Sequence, residues 1–314
     1  MDYSLCFYKG RYVYDAKEYL NAIRANFFNL TYDPRNRKKM IEEMDKIINF
    51  NSSTDLYALA HLLFDENDKY GITRCSCILD MIASWNYAPG KYLLAQLYYY
   101  GYGVEKDLNK FFTLSLEAAK ENFIPAKNSL ALAYLYGYGT TIDVKKGLSF
   151  LEECKKANFA LGYHNIAYCY SSGSFGYPKD MKKAYEYYQV AANQFYAPAC
   201  YNVAIMCLKG DGCSKNVSKG IEELIHSATL GHLKAQKKLG DVYYEGEIVS
   251  KDLDKAYNYY LMAAEQGDPY SMYSVGYMIV NNEKKSVSRY DGLDWLRKAA
   301  YAGNESAKNL LNKL

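Results

Sequence analysis

The chain repeats itself with a period of about 36 residues. That self-similarity constrains its fold more than any other feature, because a fixed period is the mark of supersecondary units stacked one upon the next. Glycine-rich turns carry the clearest signal: Gly101-Tyr-Gly103, Gly137-Tyr-Gly139, Gly173-Ser-Phe-Gly176 and Gly210-Asp-Gly212, followed by Gly246 in the next copy. Their first glycines are spaced 36, 36, 37 and 36 apart, the extra residue lying inside the longer turn Gly173–Gly176.

A second set of landmarks runs in phase. Asp107, Asp143, Asp180, Asn216, Asp252 and Ser288 are all residue types whose side-chain oxygen caps a free N–H of a first helical turn. Each precedes an apolar-periodic run of about 13 residues, read as helix B of a repeat and roughly 20 Å long. Fifteen residues after the caps stand Asn122, Asn158, Gly231, Gly267 and Gly303, types that tolerate the left-handed helix terminus, with Phe195 as the exception. Helix A of the following copy begins soon after, and Pro89, Pro125 and Pro198 sit just before it, where a missing N–H costs little.

Helix A has fixed slots. Its fifth position reads Leu94, Leu130, Ile166, Val203, Leu239 and Val275, and its sixth Ala95, Ala131, Ala167, Ala204, Gly240 and Gly276. Its ninth reads Tyr98, Tyr134, Tyr170, Cys207, Tyr243 and Ile279. A large, a tiny and an aromatic residue at constant offsets place the close approach of two helices at the tiny one. Helix B offers a matching tight slot at Gly147, Ala184, Gly220, Ala256 and Gly292, with Phe111 deviating.

These residues set a domain plan. Residues 88–304 form six repeats. Residues 15–87 hold two degenerate copies without the glycine turn, expected as helices over Glu18–Asn29, Pro34–Asn49 (capped at Asp33-Pro34), Thr54–Phe64 and Ile72–Trp85. Residues 305–314 begin one more helix A and cap the array. Residues 1–14 alternate enough to suggest a small hairpin about Lys9-Gly10.

The full pattern, with its alanine–leucine–small–tyrosine helix A, Gly-x-Gly turn, aspartate cap and paired alanines of helix B, resembles the Sel-one-like repeat (SLR), a relative of the tetratricopeptide repeat. The resemblance is strong over 88–314 and weak over 15–87. It implies an all-α fold: a right-handed α-solenoid of antiparallel helix pairs, about eight repeats plus a C-terminal capping helix, with helix A lining the concave side. It also implies a role in bringing proteins together. Members act as adaptors in signalling and protein turnover, as regulators of cell-wall enzymes, and as bacterial host-interaction or toxin-neutralising factors.

Composition narrows the partner. The 38 basic and 35 acidic residues leave a formal charge of +3, too balanced for electrostatic capture of nucleic acid or an anionic membrane. No apolar stretch is long enough to span a membrane, and no secretory signal is visible at the N-terminus, so a cytoplasmic location is expected. Thirty-six tyrosines form an unusual excess. A tyrosine joins a large apolar body to a polar tip, which suits half-buried faces and contact surfaces.

If helix A lines a groove, its third, seventh and tenth slots face it, since positions i, i+4 and i+7 share one helical face. The candidate protein-binding residues are therefore Tyr92, Gln96 and Tyr99; Asn128, Leu132 and Leu135; His164 and Tyr168; Tyr201, Ile205 and Leu208; Asp241 and Tyr244; and Tyr273 and Tyr277. Rigid aromatics in a groove supply contact area at low entropic cost. The competing reading is that tyrosine reflects biased composition and that some of these side chains pack against neighbouring repeats.

No catalytic, cofactor or metal set is visible. HExxH, CxxC, GxSxG and P-loop motifs are absent, and the four histidines form no helical ligand pair. The cysteines read as small hydrophobes. Cys200 and Cys207, about 10.5 Å apart along one helix, are too distant for a disulfide. Some secreted SLR proteins staple each repeat with a disulfide, and some of those are linked to β-lactam binding or hydrolysis. This chain lacks that regular cysteine frame. The leading expectation is a non-catalytic adaptor, scaffold or regulator holding a protein or peptide. The alternatives are an enzyme of the β-lactam type and a bacterial effector or toxin-neutralising protein.

Overall fold

The computed structural model describes residues 11–13, 15–25, 30–32, 36–64, 69–284 and 286–314. The chain divides into two units, Met1–Asp180 and Met181–Leu314. The first opens with β1 (Arg11–Val13), α1 (Ala16–Arg24), β2 (Leu30–Tyr32), α2 (Arg37–Ile47), α3 (Ser53–Leu63) and α4 (Lys69–Ser84). It continues as the helix pairs α5 (Ala88–Tyr100) with α6 (Leu108–Lys120) and α7 (Ile124–Tyr136) with α8 (Val144–Lys156), then α9 (Ala160–Ser172). The second unit holds α10 (Met181–Ala192), α11 (Ala197–Lys209) with α12 (Val217–Thr229), α13 (Leu233–Glu245) with α14 (Leu253–Glu265), α15 (Pro269–Val280) with α16 (Arg289–Tyr301), and α17 (Glu305–Leu311). Within each unit every helix packs on the next, the architecture of an α-solenoid.

The caps explain where the helices start. Asp143, Asn216 and Asp252 accept backbone N–H bonds of 3.0, 2.9 and 3.0 Å from the third residue of their helices. Asp107 serves two such donors, each at 2.9 Å. A cap of this kind stabilises a helix by about 1 kcal/mol. At the other end of helix A, Gly101, Gly137, Gly173, Gly210 and Gly246 all take left-handed φ. After helix B, so do Asn122, Asn158, Gly231, Gly267 and Gly303, and Phe195 is held there too, at φ +60°.

The core follows the slots. The fifth-slot residues Leu130, Val203, Leu239 and Val275 have no exposed surface, and neither do the alanines at the sixth. The tight slot of helix B receives the tenth slot of the same repeat's helix A. A methyl group built on Gly147 would lie 2.7 Å from Leu135 and one on Gly220 2.7 Å from Leu208, while one on Gly292 would meet the ninth-slot Ile279 first, at 2.8 Å, and Val280 at 3.1 Å.

The N-terminal copies depart from the regular repeat. α1 begins at Ala16, because Asp15 caps it through a 2.8 Å bond from the Glu18 N–H, and it ends at Arg24 rather than Asn29. The three residues of β1 pair in parallel with those of β2. The expected hairpin turn at Lys9-Gly10 and the cap at Asp33-Pro34 lie outside the described residues. Asp55, buried in α3, joins these helices: it accepts two bonds from Arg24 (2.9 and 2.6 Å) and one from the Asn49 N–H at 2.8 Å. Burial raises the Asp55 pKa, but the Arg24 guanidinium and the Asn49 amide outweigh it and hold the carboxyl below its ordinary value.

Candidate protein-binding surface

The three helix A slots assigned to the groove have different environments. In the first unit the third slot bridges neighbouring repeats: Tyr92 packs edge-on to Phe123 with ring centroids 5.5 Å apart, and Asn128 accepts a 2.8 Å bond from Asn165. Asn128 is 2% exposed and Leu135 is 3% exposed, so neither offers contact area as the chain stands. Tyr99 is also engaged, against Phe111 at 5.0 Å and Tyr138 at 5.4 Å. Phe111 fills the tight slot that glycine or alanine holds elsewhere, and Tyr99 tilts to cover it. Gln96 donates a 3.2 Å bond to Ser129, while Leu132 and His164 are half-buried. Tyr168 differs from all of these, with 48% of its surface exposed.

In the second unit Tyr201 packs on His232 at 5.1 Å and Leu208 on Gly220, while Ile205 is half-buried. The remaining candidates converge. Tyr244, Tyr273 and Tyr277 line an open cleft of about 260 Å³ together with Tyr260, Tyr270, Ser274 and Met278. Asp241 stands behind it, accepting from the Tyr260 hydroxyl at 2.8 Å and the Tyr270 hydroxyl at 3.2 Å through the same oxygen. Glu283 accepts from the Tyr244 hydroxyl at 3.3 Å. Burial, reinforced by these carboxylates, pushes the Tyr244 phenol up to about 12 and raises Tyr260 and Tyr270 as well. The three phenols therefore stay protonated.

Tyr260 and Tyr270 were not among the residues expected from slot position. Tyr260 belongs to helix B, and it reaches Asp241 because Gly240 has no side chain: a methyl group there would lie 2.4 Å from the Tyr260 ring. The available signal was local density, six tyrosines between positions 257 and 277.

A repeated polar bridge also escaped sequence reading. Lys91 bonds Asn86 at 2.6 Å and Glu117 at 2.8 Å. One period later Lys127 bonds Asn122 at 2.6 Å and Glu153 at 2.7 Å. Each lysine ties its helix A to the left-handed asparagine before it and to its own helix B.

The described cysteines are free. Burial pushes the thiols of Cys75, Cys154 and Cys200 up to about 12, so they are protonated at neutral pH. Cys207 and Cys213 lie with their sulfurs 4.0 Å apart, a proximity created by the Gly210–Gly212 turn. Among the described residues, no group of three or more His, Cys, Asp or Glu side chains is arranged to hold a metal ion, and no helix is long and apolar enough to cross a membrane.

Helix pairs with glycine-closed turns and in-phase caps define a helical repeat protein. The Sel1 repeat profile matches residues 88–122, 124–153, 155–194, 197–222, 233–268 and 269–304, and the chain belongs to that family. Over 111 residues it is 29% identical to chitin synthase regulatory factor 2 of Schizosaccharomyces pombe, a match covering 34% of this chain and 22% of that protein. Its fold is similar to that of a Sel1 repeat protein from Oxalobacter formigenes, with TM-score 0.59 and 22% identity, over 83% of this chain and 99% of the other. It is also similar to a protective antigen of uropathogenic Escherichia coli strains, with TM-score 0.57 and 24% identity, over 86% of this chain and 58% of the other. The chain thus spans about a fifth of the fission-yeast relative and a little over half of the antigen.

Proposed function

We propose that this chain is a non-catalytic protein-interaction adaptor or regulator that holds a peptide or protein partner on the helix A surface of its repeats. The observation that carries the reading is uncovered aromatic area on that surface: the half-exposed ring of Tyr168 in the first unit and the open tyrosine cleft in the second. The core slots at positions five and six already supply the packing of the repeats. The exposed Tyr168 ring stands apart from that packing, and tyrosine is among the residue types enriched in binding hot spots. A regulatory role agrees with the name of the fission-yeast relative, a regulatory factor. Leu132 and His164 supply half-buried flanking area in the first unit, and Tyr201 and Ile205 do so in the second.

The test is a photo-crosslinking amino acid placed at position 168 or at position 301, where Tyr301 is 98% exposed and lies on helix B. A partner that crosslinks from 168 and not from 301 supports the helix A surface. Crosslinking from 301 alone places contact on helix B and removes the proposal.

A further inference from the structure

The tyrosine cleft of the second unit has a chemical polarity that its apolar walls conceal. A phenol has one hydrogen to donate and two lone pairs to accept with. The hydroxyls of Tyr260 and Tyr270 commit their hydrogens to Asp241, and that of Tyr244 commits its hydrogen to Glu283. Carboxylates can only accept, so these three phenol oxygens can present only lone pairs to anything else. Donation to a charged acceptor also makes the oxygen a stronger acceptor in turn. The remaining lining is Tyr273, Tyr277, Met278 and Ser274, whose hydroxyl donates to the Tyr270 carbonyl at 3.1 Å, and aromatic faces are themselves negative. No lysine or arginine is part of the lining. The flanks show the same preference: the Lys237 ammonium lies 4.5 Å from the Tyr270 ring centroid and that of Lys251 4.9 Å from the Tyr244 centroid. At about 260 Å³ the cleft falls below small-molecule pockets, which run from about 300 to 1,000 Å³, and is of a size for one side chain.

We infer that the cleft lined by Tyr244, Tyr260, Tyr270, Tyr273 and Tyr277 takes a cationic side chain, lysine or arginine, from the protein partner. The inference rests on the adaptor reading above and adds the chemistry by which the second unit selects its ligand. The ammonium or guanidinium lies against the ring faces and donates to the phenol oxygens, whose hydrogens are held by Asp241 and Glu283. Asp241 acts here as a positioning residue: it orients two phenols and supplies the charge behind them.

The experiment follows the Met278 methyl resonance in the full chain carrying 13C-methyl methionine, identified by its loss in Met278→Leu. The probes are N-acetyl-arginine amide, N-acetyl-lysine amide and the neutral N-acetyl-citrulline amide. At least one cationic probe should shift Met278 saturably, with a Kd on the order of 1–10 mM as befits a fragment. The citrulline probe should bind at least tenfold more weakly, and Asp241→Asn should weaken the cation by about tenfold while leaving far-ultraviolet circular dichroism unchanged. Which of the two cations binds tighter tells the arginine source from the lysine source. An unmoved Met278, or equal shifts with citrulline, overturns the inference. If that happens while Tyr168→Asp still abolishes partner capture, the adaptor reading stands and the cleft assignment alone is lost. If the cation binds but no partner depends on Tyr168, the reverse holds.

Discussion

Gly139, in the turn of one repeat, lies directly on the carbonyl of Leu108, the first residue of the preceding helix B: a methyl group built on Gly139 would sit 1.9 Å from the Leu108 oxygen. The relationship recurs 31 residues apart, as Gly212 against Met181 at 2.0 Å and Gly103 against Ile72 at 2.9 Å. The second glycine of each regular turn is therefore needed twice, for its left-handed φ and for backbone contact between successive repeats. Gly176, in the turn that is one residue longer, has nothing within 4 Å. Gly139→Ala and Gly212→Ala should each destabilise by about 2–4 kcal/mol, combining backbone strain with overpacking. Gly176→Ala should cost only the strain, about 1 kcal/mol. Denaturant titration of the three variants checks the ranking.

Phe195 is held at φ +60° where the other copies use asparagine or glycine, and 51% of its surface is exposed. A bulky side chain in that region costs about 1–2 kcal/mol. Phe195→Asn should raise the stability of the second unit by about 1 kcal/mol. A lower melting midpoint would show that the Phe195 ring contributes more than its backbone costs.

Acid should loosen the N-terminal helices first. The His61 Nδ1 and the Tyr19 hydroxyl share a 2.5 Å hydrogen bond, His61 packs beside Tyr57, and burial lowers its pKa from 6.5 to about 4. Between those values the unfolded imidazole binds a proton that the folded one refuses, so stability falls as pH falls from about 6.5 to 4, by an amount on the order of 3 kcal/mol. The depressed Asp55 carboxyl adds a second loss below pH 3.8, its ordinary value. His61→Gln should remove the slope between pH 6.5 and 4 and keep the lower one. Urea unfolding monitored at pH 7, 5 and 4 reads both.

Tyr260 depends on the missing side chain of Gly240. Gly240→Ala should push the ring away from Asp241 and lengthen its 2.8 Å bond. The expected result is a downward shift of the Tyr260 phenol toward its ordinary value, seen in an ultraviolet pH titration of tyrosinate. An unchanged titration would mean that the ring position does not rely on Gly240.

What could be read from the sequence was whatever the repeat forces to be identical in each copy. Leu130, Ala131 and Gly137 recur because every repeat needs a core contact, a close helix approach and a left-handed exit, so their slots declared themselves. The contact surface is where the copies differ, and there periodicity is silent. Leu135 and Leu208 share a helical face with Tyr168, yet they turn into Gly147 and Gly220, because a glycine on helix B admits the tenth slot to the core. The face of one helix could be derived, but the hole awaiting it on the next could not. Asn86 passed unnoticed for a related reason. It is a left-handed asparagine one period before Asn122, but the slot 36 residues before the Asp107 cap holds Gly71, which has no capping side chain to set the phase. The cleft joins two helices A and one helix B, so it became visible only when Tyr260 and Tyr270 were seen to share Asp241.

The most direct measurement is the affinity of the partner captured by the intact chain, compared among the wild type, Tyr168→Asp and Tyr301→Asp, with melting curves alongside. Both rings are exposed, so both variants should melt like the wild type. The account predicts that Tyr168→Asp weakens capture at least tenfold, a loss of about 1.4 kcal/mol or more, while Tyr301→Asp binds as the wild type does. Unchanged binding by Tyr168→Asp, or a loss confined to Tyr301→Asp, would contradict it.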